Sequence, residues 1–152
     1  MTSRSELYQR FIDRFDARER RRRSEEAQIE SAESAMGVKW PDAYREFALL
    51  FGAVYSPSLI DLIVKKKLDY SDVQQFLTPK QTVTETKRWR LEPAGACFAF
   101  ASDCSGNWFA FRNLPESPRL DDAAVWLFDH ETGTVEIEGV SFVEWISRFL
   151  TL

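Results

Sequence analysis

Residues 96–112, ACFAFASDCSGNWFAFR, form the densest run of strand-forming residues in the chain and carry their own turn. Phe98 and Phe100 alternate with the smaller Cys97, Ala99 and Ala101, and Trp108, Phe109 and Phe111 resume the apolar run after a polar centre at Asp103, Ser105, Gly106 and Asn107. This is the pattern of a β-hairpin, with Gly106 free to take the positive φ that a tight reversal needs. Its flanks suit a pleated surface with one crowded face and one thin one. A third apolar run, Ala124 to Phe128, can pair beside the hairpin. The expected organisation is a single domain built on a small antiparallel sheet with helices packed against it.

The helices are read from spacing and caps. Leu7, Tyr8, Phe11, Ile12 and Phe15 follow helical periodicity, so residues 4 to about 17 predict an amphipathic helix lying against the body. Ser24 is the expected N-cap of a second helix, with Glu25 and Glu26 in its first turn, Ile29, Ala32 and Met36 on its buried face and Gly37 beyond its end. A third helix is expected from Pro41 to Gly52. Leu59 to Val64 reads as a strand, and Val73, Phe76 and Leu77 as a short helical turn. Thr78, Pro79 and Gln81 form a capping-box start for a helix that carries Val83 and Trp89 and stops before Pro93. A Pro-rich polar loop is expected at Asn113–Pro118, then the strand AVWLFDH, a turn at Glu131–Thr134 and the short strand VEIE. Ser141 caps a last helix with Phe142, Trp145, Ile146 and Phe149 in one stripe.

Charge is unevenly placed. Residues 1–23 carry eight arginines against four acidic residues, a surplus of +4, whereas residues 24–152 carry 12 basic and 20 acidic side chains, a surplus of −8. The chain therefore divides into a basic leader, 1–23, and an acidic domain, 24–152. Arg18–Arg23 is read as a solvated helix end and linker, with an electrostatic contact to RNA or membrane as the alternative. An acidic body disfavours nucleic acid and favours a basic protein partner, because long-range attraction raises the encounter rate. No apolar run approaches the roughly 20 residues that span a bilayer, and the N-terminus lacks the apolar core of a secretory signal, so a cytoplasmic protein is expected.

Candidate chemistry is sparse. The one histidine, His130, lies between Asp129 and Glu131, but the chain has no GxSxG, HExxH or P-loop to complete a site around it. It reads as a polar histidine at a strand end, with a hydrolytic enzyme using His130, Asp103 and Ser105 left as an alternative. Cys97 and Cys104 read as reduced, partly buried thiols, with a disulfide or metal role as the alternative. Glu136 and Glu138 share one strand face and Ile137 takes the other, a pattern that more often solvates a sheet edge than performs acid–base work.

Taken in order, these landmarks resemble the SUKH superfamily of bacterial immunity proteins, whose eukaryotic relatives include yeast cell-wall synthesis regulators. In MGVKWPDAYREFALLFG, the residues Gly37, Pro41, Tyr44, Phe47 and Gly52 sit as in the family's Gly-x-x-x-Pro-x-x-Tyr-x-x-Phe pattern. TETKRWR, FAFASDCSGNWFAF, VWLFDHET and VSFVEWISRFL follow in the family's order, so the resemblance covers residues 24–152. Trp40 stands where Leu or Ile usually precedes the proline, and Phe51-Gly52-Ala53 replaces the common Asn-Gly. The resemblance implies an α+β fold, a single domain with an antiparallel or mixed sheet of about four to six strands and helices packed mainly on one side, and a non-enzymatic immunity protein of a polymorphic or contact-dependent toxin system. Such a protein binds a cognate toxin, a nuclease or other basic domain, and occludes it without cofactor or metal, as a monomer or weak dimer. The contact residues expected at the turn and strand ends are Asp103, Asn107, Arg112, Asp121, Asp122, Asp129, Glu131, Glu136 and Glu138, with exposed aromatics at the interface centre. The alternative is a regulatory protein–protein interaction module with no toxin partner.

Overall fold

A computed structural model describes residues 3–18, 23–91, 97–112 and 120–152. Most of the arginine run, Pro93 and the Pro-rich loop at 113–118 lie outside the described residues, as does the thiol of Cys97; the helix expected to stop before Pro93 ends at Arg88, with Trp89 as its C-cap. The chain runs α1 (Arg4–Phe15), α2 (Glu26–Met36), α3 (Asp42–Phe51), α4 (Leu59–Lys65), β1 (Gln75–Phe76), α5 (Pro79–Arg88), β2 (Cys97–Ser102), β3 (Trp108–Arg112), β4 (Val125–Phe128), β5 (Val135–Gly139) and α6 (Phe142–Phe149). Among the described residues, five strands form one antiparallel sheet in chain order. The α+β expectation holds.

The hairpin forms where the sequence places it, with Gly106 at φ 87°. Phe98, Phe100, Phe109 and Phe111 crowd one face, where the Phe100 and Phe111 rings stack at 4.3 Å, while Ala99 and Ala110 pair on the thin face. The alternation is not perfect. The register shifts between Ala99 and Ala101, so Ala101 turns to the crowded side opposite Phe109. A bulge adds one residue to one strand and so inverts every side chain beyond it.

Helices α1, α3 and α6 supply the other half of the main core. Tyr8, Phe11, Tyr44, Phe47, Phe142 and Trp145 are essentially fully buried there, and the Tyr8 hydroxyl donates to the Ala43 carbonyl at 2.8 Å. Arg4 pairs with Glu46 at 2.9 Å and with Asp121 at 3.0 Å, and Arg14 donates to the carbonyls of Leu150 and Leu152, so both ends of α1 are tied to the body. Arg18 donates to the Ala53 carbonyl at 2.6 Å. Helix α5 lies along the stretch of β2 that the two-residue β1 leaves uncovered. There the Thr86 hydroxyl accepts from the Ala99 N–H at 2.9 Å, replacing a strand neighbour.

Two elements differ from the sequence expectation. Leu59–Lys65 is a helix: Leu59 and Ile63 are buried at i and i+4, while Asp61 in the first turn and Lys65 in the last complement the helix dipole. A six-residue run with five apolar members hides that period. Gln75–Phe76 is a strand, because Phe76 finds partners on both sides: its N–H donates to the Val54 carbonyl at 2.8 Å and it pairs with Ala101. The α2 cap also moves by one residue. Glu25 caps the helix in a box with Gln28, while the Ser24 N–H donates to the Ala48 carbonyl.

Candidate functional site

The sequence-selected contact residues fall in three places. At the turn end of the sheet, Asp103 is buried, with Oδ1 accepting from the N–H groups of Ser105 and Asn107 at 2.8 and 2.9 Å and Oδ2 accepting from the Asn107 amide at 2.9 Å. Asn107 Oδ1 in turn accepts from the His130 backbone N–H at 3.2 Å and lies 2.7 Å from His130 Nδ1. An amide oxygen only accepts, so Nδ1 is the donor. Asp129 Oδ1 accepts from the Glu131 and Thr132 N–H groups at 2.8 and 3.2 Å, and Glu131 is exposed. The β2–β3 and β4–β5 turns are thereby locked into one surface.

Asp121, Asp122 and Arg112 lie at the opposite end. Asp121 is exposed and pairs with Arg4. Asp122 accepts from the N–H groups of Phe142 and Val143 at 2.8 and 3.3 Å, adding a second cap to α6 beside Ser141. On β5, Glu136 is exposed, while Glu138 is partly buried against Arg148 at 3.4 Å. Burial pushes the Glu138 carboxyl up, with Arg148 opposing it.

Residues of which Arg112 alone is an expected contact complete the surface. The strand register puts Trp108, Ala110 and Arg112 of β3, Trp126 and Phe128 of β4, and Val135 and Ile137 of β5 on the sheet face away from α1, α3 and α6. Leu77 and Leu91 cover the Ala99–Ala110 part of that face. Beyond them Trp108 and Trp126 are half-buried, Ile137 is 55% exposed, and Arg112 lies over the Trp126 ring at 4.8 Å. Trp89, at the end of α5, reaches toward both Trp108 and His130, with ring centroids 6.5 and 6.4 Å away. The signal was present as alternation, since Trp126 and Ile137 fall in phase with Ala110 once the strands are aligned.

Two features bear on reactivity. Cys104 is exposed, not partly buried as expected, because it sits at the outer corner of the hairpin turn. Desolvation and the carboxylates of Asp72 and Asp103 nevertheless push its thiol up, which favours the protonated, weakly nucleophilic form. Asp72 is 3% exposed, and its Oδ1 accepts from the Cys104 N–H at 3.4 Å while Oδ2 is buried without a hydrogen-bond partner. Among the described residues no group of three or more His, Cys, Asp or Glu side chains is placed to hold a metal ion, and no helix is long and apolar enough to cross a membrane.

Burial raises the Asp72 carboxyl above its ordinary value of 3.8, with the Asp103 charge adding and Cys104 opposing. A carboxyl raised in the folded state binds more protons there than when unfolded. Its contribution to stability is therefore fully present below 3.8, is lost as pH rises through the raised value, and is level above it. Asp72→Asn is expected to stabilise the protein at about pH 7 and to lose that advantage near pH 4, as read by urea unfolding at the two pH values.

The family described as SMI1 / KNR4 family (SUKH-1) matches residues 24–148. No curated protein matches the chain.

Proposed function

We propose that this chain, which belongs to the SMI1 / KNR4 family (SUKH-1), is a non-catalytic binding protein that neutralises a cognate bacterial toxin by covering an essential surface of it. The observation that carries this reading is the open sheet face. Trp108, Trp126 and Ile137 present half-exposed apolar area on a rigid strand framework, and Arg112 is held over Trp126. Tryptophan and arginine on a preorganised surface are the residue types that anchor protein interfaces. Asp129 and Glu131 stand at its turn end, and the surplus of −8 over residues 24–152 steers a basic partner toward the domain.

Binding without turnover fits the way the polar residues are engaged. His130 Nδ1 is held by Asn107, and Asp129 Oδ1 accepts from the turn N–H groups of Glu131 and Thr132. Asp103 and Asp122 likewise serve the backbone, which leaves Arg112, Glu131, Glu136 and the aromatic residues to meet a partner.

The test is co-expression of the tagged chain with the product of the gene immediately upstream. A stable complex that suppresses the partner's toxicity and weakens with salt is the expected result. Ile137→Asp is expected to weaken that complex about 30-fold or more, as measured by calorimetry, because it places a charge at an apolar interface centre. No complex and no rescue would move the function to a regulatory interaction module.

A further inference from the structure

We propose a second docking surface: the groove between α2 and α5, of about 990 Å³, accepts an acidic amphipathic helix from a partner protein. Its walls are short. Ala27, Ser31 and Ala35 follow one another at i, i+4 and i+8 along α2, and Val83 and Thr84 face them from α5. Small residues at that spacing let a third helix approach to the roughly 8–10 Å of ordinary helix packing, with its apolar stripe against Ala27, Ala35 and Val83.

Charge selects the occupant. Among the described residues, the charged side chains that line the groove are Arg18 and Arg23 of the basic leader and Lys80 of the acidic domain, all basic. Arg18 is fixed at one end by its bond to the Ala53 carbonyl and its position 5.8 Å over the Tyr55 ring. Lys80 stands at the start of α5, where the helix dipole adds positive potential. The α5 capping box already takes the Gln81 N–H and Pro79 has none, so the groove attracts carboxylates through its field and through Arg and Lys side chains. A free phosphate would leave the aliphatic walls uncovered. A helix with glutamates on its flanks and leucines between them satisfies both parts. This surface is separate from the Trp126 sheet face and independent of the toxin reading.

The experiment uses the full chain and a synthetic peptide of roughly 18 residues, long enough to be helical, with a leucine stripe flanked by glutamates, against a control with lysine for every glutamate. Amide chemical-shift mapping is expected to place the acidic peptide on α2 and α5, with affinity falling as salt rises and the lysine peptide inactive. Ser31→Trp, which fills the groove, and Lys80→Glu, which reverses its charge, are each expected to weaken binding about tenfold or more without moving the urea midpoint, since both residues are exposed. Shifts confined to the sheet face, equal binding of the two peptides, or indifference to Ser31→Trp would overturn the proposal. So would self-association of the chain abolished by Ser31→Trp, which would make a second copy the occupant.

Discussion

Replacing Glu33 by Ala is expected to destabilise the fold by about 3 kcal/mol, a large share of the margin of a domain this size. Glu33 is 3% exposed. Its Oε2 accepts from the Trp40 N–H at 2.7 Å, and its Oε1 lies 3.8 Å from the Arg45 guanidinium, which also pairs with Glu26. One carboxylate therefore joins the last turns of α2 to the connection into α3 and to α3 itself. Alanine takes the acceptor from the Trp40 N–H and a buried counter-charge from Arg45. Glu33→Gln keeps an oxygen for Trp40 and is expected to cost about half as much. Urea unfolding checks both: the midpoint should fall in the order wild type, Gln, Ala, with an unchanged slope. Equal losses for the two variants would assign the effect to the charge alone.

Local rules made part of this structure readable. The hairpin, the Thr78–Gln81 capping box, the Ser141 cap and the αL turn at Gly37 are decided within a few residues, and each forms as its residues dictate. What stayed hidden was settled at long range. Phe76 becomes a strand because Val54 and Ala101 flank it, and Asp122 caps a helix that begins 20 residues later. Glu33 is an intermediate case. It falls four residues after Ile29 and three before Met36, on the buried face of α2, and a carboxylate at such a position signals a satisfied buried acid.

The surface divides in the same way. Acidic residues near turns are natural candidates for partner contacts, yet Asp103, Asp122 and Asp129 accept from nearby or distant N–H groups and build the surface more than they display on it. Turn and cap geometry of this kind is a standard use of aspartate. Trp126 and Ile137 become conspicuous only once strand register is known, because a one-residue slip would exchange them with the core face.

The largest contrast is expected between two tryptophans on opposite sides of that sheet. Trp145 is fully buried on α6, with its ring centroid 4.8 Å from Phe109, 5.3 Å from Phe149 and 5.6 Å from Phe100. Gly139 packs so closely that a Cβ there would meet the Trp145 Cβ at 2.9 Å, so β5 approaches α6 with no slack. Trp145→Ala should cost about 3–5 kcal/mol through lost burial and a cavity that close packing cannot fill. Trp126 is half-buried and lies beneath Arg112, on the face that α6 does not cover. Trp126→Ala should cost about 1 kcal/mol in unfolding, yet weaken the partner complex about 30-fold or more. Paired urea unfolding and calorimetry on the two variants separate the roles. If Trp126→Ala binds the partner like wild type while folding normally, the interface lies elsewhere and the open sheet face is not the toxin-binding surface. If both variants lose stability alike, Trp126 belongs to the core and its face is not free to bind.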